Sequence, residues 1–369
     1  MRIVVTGATG FIGTTLRLRL AESGHSDVAS LGRDTPRELW SDALAGADVV
    51  VHLAGVNRPT DVAEYAHGNA ELTERVCAAL SDAGRRATII LSSSIQAERD
   101  HAYGASKRAA ESAVERYAAT TGARGCVLRL PNVFGKWARP NYNSAVATFC
   151  HNIARGIPII VHDPASPVSL IHVDDVVDGM LSLFPPSAIS GRISLGPVHQ
   201  STVGEVVALI TSFAESRVTL MMPRVGTGLV RALYSAYVSY LPPAAFAYDL
   251  VRHEDPRGVF SELLRTTDSG QISYFSAHPG ITRGGHYHHA KTEKFLVVHG
   301  RARFCFRHVV TGEQHSIDVD GAGPRVVETV PGWAHDITNI GDTEMIVLLW
   351  ANEVFDPSRP DTVAARVSS

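Results

Sequence analysis

The sequence predicts two domains of different class: a doubly wound α/β domain built on a parallel sheet, followed by an all-β domain. Apolar, β-branched runs alternate with helical patterns from residue 1 to about residue 215. From Gly258 onward the runs become short and alternating, with Gly, Asp and Asn turns between them, which is typical of an antiparallel sandwich or small barrel. The length of 369 residues exceeds one ordinary domain and fits two.

The elements of the α/β domain follow one another in a regular order. Five apolar runs predict buried strands, and helical patterns cover residues 11–21 and 105–117. The runs are RIVVTG, DVASLG, DVVVHLAG, TIILSSS and GCVLRLP. Residues 216–250 look helical with a break at two prolines. We therefore expect a first domain over residues 1–250 that ends in a helical connector over 216–250.

The all-β domain is expected over residues 251–369. Its clearest strands are QISYFSAH, EKFLVVHG, RARFCFRHV and EMIVLLW, and the tail after Phe355 is expected to be a loose end. Nine of the 17 histidines lie after residue 250. Because that segment is under a third of the chain, we expect its chemistry to differ from that of the first domain.

The composition limits the classes of partner. Apolar residues (45%) and charged residues (19%) indicate a globular chain, and a net charge of -3 offers no basic surface to nucleic acid or anionic lipid. The four cysteines have no paired spacing, which fits a reducing cytoplasm. Met1 and Arg2 leave no room for a signal peptide before the first strand, and charges and prolines interrupt the apolar stretch 226–250. We expect a cytoplasmic protein without a nucleic-acid or membrane partner.

Three glycines follow the first strand in TGATGFIG, where a helix is expected to begin. Gly7 permits a tight turn, Gly10 lets the backbone approach a pyrophosphate, and Gly13 allows the helix to pack closely. The helix N-terminus then offers N–H groups and a favourable dipole to the phosphates. We expect a dinucleotide here. The residues between the glycines that are expected to line it are Thr9, Phe11 and Ile12.

The end of the second strand suggests which dinucleotide binds. An acidic residue there binds a ribose 2′-hydroxyl, whereas an arginine accommodates a 2′-phosphate. Here Arg33 precedes Asp34, which favours NADPH. An ordinary charged loop is the alternative interpretation of the same residues.

Tyr103 and Lys107 place a phenol and an ammonium one helical turn apart on the same face. The ammonium is expected to lower the pKa of the phenol, so that Tyr103 can donate or accept a proton as a hydride moves. A hydroxyl from the strand end Ser92-Ser93-Ser94 would polarise the substrate oxygen. Together with the glycine loop, these residues predict a hydride-transfer site.

Residues 1 to about 215 resemble the extended short-chain dehydrogenase/reductase family of Rossmann-like nucleotide-sugar epimerases, dehydratases and reductases. Beyond the motifs above, the resemblance includes Asp48, HLAG (52–55), Asn69, RLPNVFG (129–135) and HVDD (172–175). It implies that Ser94 is the catalytic hydroxyl, with Ser93 as the alternative, that Tyr103 is the acid/base and that Lys107 is its partner. The cofactor-lining residues that it implies are Leu53, Ala54, Gly55, Asn69 and Pro131, with Asn132 at the edge of the nicotinamide.

One departure from that family concerns the loop before Tyr103. These enzymes usually have Val-Tyr-Gly shortly after the serine, whereas this chain has Ala97-Glu98-Arg99. The interval from the serine to the tyrosine is also short. We therefore expect the loop that carries substrate contacts to be trimmed.

The second cluster of chemistry lies in the last third of the chain. Its spacing is Gly280-x5-His286-x-His288-x4-Glu293-x6-Gly300, followed by Pro331-Gly332-x-x-His335-x3-Asn339. His286 and His288 point to one face of a strand, and Glu293 and His335 return from neighbouring strands. Three histidines and a carboxylate suit divalent Zn, Mn, Fe or Ni, with zinc the first expectation. The first spacing matches the first cupin motif, and the second approximates the second motif, with Pro331 and Gly332 adjacent instead of one residue apart. This resemblance to the cupins implies a jelly-roll domain.

The same residues have a competing interpretation. DPRGVFSE (255–262) and TRGGHYHH (282–289) resemble the deoxysugar 3,5-epimerases, which are metal-free cupins. That resemblance implies His286 as the base, Lys294 as the group that steadies the enolate, and His335 as a second active-site histidine. If a metal occupies the site instead, the candidate bases are His288, Lys294 and Tyr287. A zinc ion that is mainly structural is a third interpretation.

Over its whole length the chain resembles the bifunctional capsule and O-antigen sugar enzymes that make UDP-2-acetamido-2,6-dideoxy-β-L-talose. The resemblance implies a UDP-sugar substrate, epimerisation of carbon 3 in the cupin half and reduction of carbon 4 by NADPH in the other half, toward UDP-N-acetyl-L-fucosamine. It also implies a homodimer. The alternative is a monofunctional 4-ketoreductase whose cupin half is a dimerisation module.

Overall fold

In the computed structural model the chain is described over residues 1–251, 253–255, 258–260, 264–266, 270–353 and 358–367. It divides into two compact units. The first is drawn from residues 1–134 and 169–200, and the second from residues 135–168 and 201–369. In this division residues 201–250 share a unit with the C-terminal strands, and a domain boundary at residue 250 remains a prediction of the sequence.

The helices and strands alternate in the first half of the chain, and strands dominate the second half. The helices are α1 (Phe11–Glu22), α2 (Arg37–Ala45), α3 (Ala63–Tyr65), α4 (Leu72–Asp82), α5 (Ala102–Thr121), α6 (Ala145–Ile153), α7 (Val173–Leu181), α8 (Val203–Thr219) and α9 (Gly228–Ser239). A π-helical turn over Ala66–Glu71 joins α3 to α4, and 3₁₀ turns cover Ile95–Glu98 and Pro243–Ala245. Among the described residues, no helix has the length and apolarity needed to cross a bilayer.

The strands are numbered in chain order. They are β1 (Ile3–Thr6), β2 (Val28–Leu31), β3 (Val49–His52), β4 (Thr88–Ser94), β5 (Gly125–Leu130), β6 (Asn132–Phe134), β7 (Pro167–His172), β8 (Gly191–Ile193), β9 (His199–Thr202), β10 (Met221–Met222), β11 (Ala247–Asp249), β12 (His253–Asp255), β13 (Gly258–Phe260), β14 (Arg265–Thr266), β15 (Gln271–Ala277), β16 (Thr282–Tyr287), β17 (Glu293–His299), β18 (Arg301–His308), β19 (Gln314–Asp320), β20 (Arg325–Thr329), β21 (Trp333–Asn339), β22 (Met345–Ala351) and β23 (Val363–Ala364).

The first unit is built on a parallel sheet with the strand order β2-β1-β3-β4-β5-β8. Its first five strands are the five predicted from apolar runs, and that prediction is confirmed. Alternate residues of β1 enter different cores, with Ile3 and Val5 on one side and Val4 on the other. Helices α1 and α7 cover the first core, and α2, α4 and α5 cover the second. Burial on both faces explains why Ile3, Val4 and Val5 form a continuous apolar run.

The order of strands reverses at β1, which lies between β2 and β3. In an open parallel sheet, a reversal of this kind leaves a crevice at the carboxyl ends of the strands, and ligands bind there. The loops that follow β1 to β5 all emerge at this edge of the sheet. They carry the glycine loop, Arg33, residues 53–55, Ser94 and Pro131, so the fold gathers the residues predicted to bind a dinucleotide.

Three helices of the second unit, α6, α8 and α9, pack against one another. Thr202 and Glu205 form a reciprocal capping box that fixes the start of α8. Phe213 of α8 packs edge-on against Tyr234 of α9, with ring centroids 5.2 Å apart. Residues 216–250 contain the end of α8, all of α9, the 3₁₀ turn at the proline break and the short strands β10 and β11. Their role as a connector between two domains remains a prediction.

The rest of the second unit contains two five-stranded antiparallel sheets, as the sequence predicted. Their strand orders are β11-β20-β17-β22-β15 and β19-β18-β21-β16-β23. Phe295 of β17 packs edge-on against Phe304 of β18, with centroids 5.7 Å apart, so the core lies between the two sheets. This is the all-β sandwich expected of a cupin-like domain.

The prediction of a loose tail after Phe355 was wrong for its described part. Strand β23 pairs antiparallel with β16, placing Val363 opposite Tyr287 and Ala364 opposite His286. Val367 is buried. The tail had been expected to be loose because its composition is polar and proline-rich. It is ordered because it completes the edge of the sheet that β16 would otherwise leave open.

Candidate active sites

The loop after β1 passes so close to the backbone at Ala54 that only glycine fits at Gly7. Gly7 has φ +65°, and a Cβ atom there would lie 2.7 Å from the backbone nitrogen of Ala54. Gly10 caps α1 without a side-chain hydrogen bond, and the first turn of α1 contains no acidic residue. The first N–H groups of α1 are therefore available to an anion. This arrangement fits the pyrophosphate of a dinucleotide.

A buried histidine fixes the loop after β3. The Nδ1 atom of His52 lies 2.6 Å from Oγ1 of Thr6, and its Nε2 atom lies 3.0 Å from Oγ1 of Thr73. The Thr6 hydroxyl in turn accepts a hydrogen bond from the backbone nitrogen of Ala54 at 3.2 Å. Burial lowers the pKa of His52 to about 3, so the ring is neutral. These contacts hold residues 53–55 beside the glycine loop.

Asn69 joins the same loop to α5. Its Oδ1 atom accepts from the backbone nitrogen of Val56 at 2.9 Å, and its Nδ2 atom donates to Oγ of Ser106 at 3.0 Å. A Cβ atom at Gly55 would lie 2.7 Å from Oδ1 of Asn69 and 3.4 Å from Nζ of Lys107. The structure therefore brings Gly55, Asn69 and Lys107 together, as the sequence predicted.

Tyr103 and Lys107 lie on one face of α5, as their spacing predicted. The Nζ atom of Lys107 lies 5.9 Å from the centroid of the Tyr103 ring and donates to the carbonyl oxygen of Ser92 at 3.1 Å. Burial lowers the pKa of Lys107 to about 8. Burial also raises the pKa of Tyr103, and a hydrogen bond with Ser94 opposes that shift. The pKa of Tyr103 therefore lies above its usual value, in contrast to the lowering expected from Lys107, and Tyr103 keeps its proton at neutral pH.

The two candidate serines have different surroundings because neighbouring residues of β4 face opposite sides. The Ser93 hydroxyl donates to Oε1 of Glu111 at 2.5 Å, in a buried group that includes Arg129. Ser94 has its hydrogen bond with Tyr103 instead. Of the two hydroxyls, that of Ser94 is the one that shares a site with the phenol.

The short loop before α5 sets the position of Tyr103. It forms a 3₁₀ turn, and the guanidinium of Arg108 donates to the carbonyl oxygens of Ala97 at 2.7 Å and Arg99 at 2.8 Å. The ring of His101 caps α5 by accepting from the backbone nitrogen of Gly104 at 2.9 Å. The residues that depart from the family pattern therefore fold into a tight support for the helix start.

Arg33 and Pro131 lie at the same edge of the sheet. Arg33 is exposed in the turn after β2. A Cβ atom at the preceding Gly32 would lie 4.0 Å from Oγ1 of Thr9, so this turn adjoins the glycine loop. Pro131 is half-buried between β5 and β6, and the side chain of Asn132 donates to the carbonyl oxygen of Ser169 at 3.1 Å.

A second site lies within the C-terminal sandwich. The ligand atoms of His286, His288, Glu293 and His335 all lie within 4.8 Å of one another. His286 on β16 is the register partner of His335 on β21, while Glu293 begins β17 in the other sheet. His288 follows the end of β16. Strands β16, β17 and β21 thus supply three of the four predicted side chains, and the residue just after β16 supplies the fourth. Both sheets contribute to the site.

Burial and neighbouring charges together shift the pKa values of Glu293 and His286 in this cluster. Burial alone would raise the pKa of Glu293, but the hydrogen bond with His288 and the neighbouring rings hold it well below its usual range. Burial, with the charges of His335 and His288, lowers the pKa of His286 to about 4. Glu293 is therefore ionised and His286 neutral at pH 7, which are the forms that bind a metal.

The hydrogen-bond geometry of His288 and His335 fits a cation. Nδ1 of His288 lies 2.6 Å from the carbonyl oxygen of Asp361, and Nε2 lies 3.1 Å from Oε2 of Glu293. His335 is placed similarly, with Nδ1 3.4 Å from the carbonyl oxygen of Trp333 and Nε2 3.6 Å from Glu293. A neutral imidazole can donate from only one nitrogen. A cation between the Nε2 atoms and the carboxylate would satisfy all three side chains.

Two of the predicted base candidates are turned away from this cluster. Lys294 follows Glu293 in β17, and its Nζ atom contacts Oε1 of Glu328 and lies 3.0 Å from Oη of Tyr248. Tyr287 lies between the two histidines in sequence, and its ring packs 5.4 Å from that of His289. Both follow from the alternation of side chains along a strand. Residues 256, 257, 261 and 262 of the DPRGVFSE segment lie outside the described residues.

The sequence reasoning missed two residues beside these sites. Glu111 lies one turn beyond Lys107 on α5, a spacing that could have indicated a buried partner. Asp361 contacts His288 from a tail with no periodic pattern, and no signal in the sequence pointed to it.

Two protein-family models match the chain, one over the region of each site. The model of the NAD dependent epimerase/dehydratase family matches residues 3–192. A model named polysaccharide biosynthesis C-terminal domain matches residues 253–363. The two matches together span both sites described above.

Two of the similar proteins match the chain from end to end, and a third matches part of it. A Pseudomonas aeruginosa protein named UDP-2-acetamido-2,6-beta-L-arabino-hexul-4-ose reductase is 50% identical over 369 residues, which is 100% of this chain and 99% of the relative. The crystal structure of the capsular polysaccharide assembling protein CapF from Staphylococcus aureus is 40% identical, covers 100% of both chains and has a TM-score of 0.68. The structure of RMD from Pseudomonas aeruginosa complexed with NADPH is 25% identical, covers 58% of this chain and 85% of its own, and has a TM-score of 0.50.

Proposed function

The chain belongs to the NAD dependent epimerase/dehydratase family and, along its whole length, to the family of the Pseudomonas aeruginosa reductase, and on that premise we propose that it is a bifunctional nucleotide-sugar enzyme. In this proposal the C-terminal site inverts carbon 3 of a UDP-4-keto-6-deoxy-hexosamine. The site beside the glycine loop then reduces the carbon-4 ketone with NADPH, toward UDP-N-acetyl-L-fucosamine for capsule or O-antigen. The observation that carries the proposal is that one chain holds both an assembled Ser94–Tyr103–Lys107 group and an assembled histidine–glutamate cluster.

The reduction follows from the geometry of the first site. NADPH held by the glycine loop would supply a hydride to carbon 4. Tyr103, which keeps its proton at neutral pH, donates that proton to the carbonyl oxygen, so that the ketone becomes an alcohol. The charge of Lys107 stabilises the phenolate that remains, and the Ser94 hydroxyl hydrogen-bonds the same substrate oxygen.

The choice of NADPH rests on the turn after β2. Arg33 is exposed beside the glycine loop, where a guanidinium can pair with a 2′-phosphate. The likeness to a structure complexed with NADPH supports the same choice.

The epimerisation needs an acidic C–H bond, a base that removes the carbon-3 proton to leave an enolate, and a proton, from solvent or an acid, that returns to the opposite face of carbon 3. The proton on carbon 3 is next to the ketone and is acidic for that reason. A divalent cation held by the cluster supplies Lewis acidity that polarises the carbonyl. Because a histidine bound to a cation is a poor base, cation binding and removal of the carbon-3 proton are assigned to different residues of the cluster. Buried His288, Glu293 and His335 suit the role of ligands, whereas half-buried His286 is the member that a sugar can reach.

The order of the two steps follows from their chemistry. Epimerisation requires the ketone, since the ketone makes the neighbouring proton acidic. Reduction removes the ketone and thereby traps the inverted centre. The enzyme that supplies the substrate must therefore deliver a 4-keto sugar.

The proposal is tested by proton NMR of the UDP-4-keto-6-deoxy-hexosamine with the protein in heavy water, first without and then with NADPH. We expect the carbon-3 proton signal to disappear without NADPH and a reduced sugar to form once NADPH is added. Reduction without prior exchange would contradict the epimerase half and leave a 4-ketoreductase with a structural cupin. Exchange without reduction would contradict the reductase half.

A further inference from the structure

The side chain of Asp361 binds the turn that follows His288, one of the residues proposed to hold a cation. Its carboxylate accepts three backbone hydrogen bonds, from His289 at 2.9 Å, from Ala290 at 2.9 Å and from Lys291 at 2.7 Å. These residues lie between His288 and Glu293, so the carboxylate fixes the path of the chain from one side chain of the cluster to the next. Asp361 itself has φ +35°, a conformation that Asp tolerates better than most residues.

The backbone carbonyl of Asp361 sets the tautomer of His288. It lies 2.6 Å from Nδ1, and a carbonyl oxygen can only accept. The proton of a neutral His288 ring therefore sits on Nδ1, and the lone pair of Nε2 points to Glu293 and into the cluster. Metal-binding histidines are held in this way, with the second ring nitrogen donating to an oxygen.

The residues after Asp361 reinforce the neighbouring histidine. Strand β23 places Ala364 opposite His286, and the backbone nitrogen of Ala365 donates to the carbonyl oxygen of Gly285 at 2.9 Å. The guanidinium of Arg307 donates to the carbonyl oxygen of Arg366 at 2.9 Å and 2.8 Å. The described tail is thus attached along the whole length of the strand end that carries His286 and His288.

We infer that Asp361 is a positioning residue of the histidine–glutamate site, and that residues 361–366 act as a clasp that presents Nε2 of His288 to a divalent cation. The inference rests on the metal site of the proposed function and adds a residue to it. It requires no contact between Asp361 and the cation or the sugar. Asp361 acts through the ring of His288 and through the turn at residues 289–291.

The test is Zn²⁺ binding to the full-length protein after metal removal, measured by competition with a chromophoric chelator. Asp361→Asn keeps the size of the side chain and its tolerance of positive φ, but an amide nitrogen cannot accept the hydrogen bonds that Oδ2 receives. We expect Zn²⁺ affinity to fall about 10–100-fold, the usual cost of losing a partner of a metal ligand. Asp320→Asn is the matched control, because it makes the same change at an exposed residue of β19 outside the clasp, where Oδ1 accepts a hydrogen bond from the backbone nitrogen of Ala322 at 2.9 Å. This variant should bind Zn²⁺ as the natural chain does.

A second readout separates positioning from general stability. The Co²⁺-loaded Asp361→Asn variant should show a changed d–d absorption spectrum at a temperature where it is folded, whereas Asp320→Asn should match the unaltered protein. Unchanged Zn²⁺ affinity together with an unchanged Co²⁺ spectrum in Asp361→Asn would overturn the inference. Absence of Zn²⁺ binding in the unaltered protein would instead overturn the metal site on which the inference rests, so the two failures are distinguishable.

If Asp361→Asn does not fold, hydrogen exchange of the unaltered protein decides the matter. We expect Zn²⁺ to slow amide exchange both in the peptide that contains His288 and in the peptide that contains residues 361–366. Slower exchange around His288 with no change in the tail would show that the clasp is not coupled to the cation.

Discussion

Glu293 and Lys294 are consecutive residues of one strand, and their side chains serve two different buried clusters. The carboxylate of Glu293 lies 3.1 Å from Nε2 of His288, whereas the ammonium of Lys294 contacts the carboxylate of Glu328. Glu328 also lies 3.2 Å from the guanidinium of Arg217 on α8. The histidine–glutamate site and the ion-pair network that joins the sheet to α8 therefore lie on opposite faces of β17.

This separation predicts the effect of removing Lys294. Lys294→Met leaves the buried carboxylate of Glu328 without its nearest cation, and breaking a buried pair of this kind costs about 3–5 kcal/mol. We expect a matching fall in the free energy of unfolding, measured with urea, and no change in Zn²⁺ affinity. Arg303→Met removes a half-exposed ion pair with Asp318 and should cost less than about 1 kcal/mol. A fully stable Lys294→Met variant that has lost carbon-3 exchange would restore Lys294 as a catalytic residue.

Removing one phenol oxygen should separate the two proposed activities. In Tyr103→Phe the carbonyl oxygen loses its proton donor, so we expect NADPH oxidation to fall at least 100-fold, in line with the usual contribution of a general acid. Carbon-3 exchange in heavy water should persist at the original rate. Tyr117→Phe is a suitable control, because it removes a phenol oxygen toward the other end of α5, where the hydroxyl donates to the carbonyl oxygens of Arg85 and Ala87. Loss of both activities in Tyr103→Phe would contradict the division of labour.

The buried ammonium of Lys107 predicts an alkaline limit for the reduction. Burial lowers its pKa to about 8, so the charge that supports Tyr103 is present below pH 8 and is lost as the pH rises above it. We expect kcat/KM for the 4-keto sugar to fall about tenfold per pH unit above that point. Lys107→Arg keeps a charge at every accessible pH, and its profile should stay flat through this range even if its rate is lower. The same alkaline limb in both proteins would assign the titration to another group.

The position of Arg33 predicts a selective loss of NADPH binding. Arg33→Ala removes the cation expected to pair with the 2′-phosphate, and hydrogen bonds to charged groups are worth about 1.5–3 kcal/mol. The KM for NADPH should therefore rise at least tenfold while the KM for NADH changes little. Asp34→Asn changes the neighbouring residue and should leave the preference for NADPH intact. Equal changes in the KM for NADPH and for NADH in Arg33→Ala would show that Arg33 does not select the cofactor.

The parts of the fold that were predictable are those fixed by periodicity. Strand β1 begins with three apolar residues, Ile3, Val4 and Val5, because both of its faces are buried, and that pattern is visible in the sequence. The alternation along β17 could likewise have shown that Lys294 cannot share a site with Glu293. Asp361 could not be found in this way, because its role depends on a tail segment that returns to β16 across 70 residues of chain, with contacts made mainly by the backbone. The pKa of Tyr103 also needed the structure, since the sequence suggested a lowering by Lys107 whereas burial raises it.

The cation site makes the most direct prediction, because His288 is the most buried of its histidines and shares a hydrogen bond with Glu293. His288→Ala removes one ligand and leaves the ionised carboxylate of Glu293 without its closest partner. We expect metal content, measured by mass spectrometry on protein purified in parallel, to fall below one tenth of that of the unaltered chain. His299→Ala changes an exposed histidine of β17 and should keep its full complement. If the His288→Ala protein kept its metal, the cation would have to be held without His288, and the clasp formed by Asp361 would have no ligand to position.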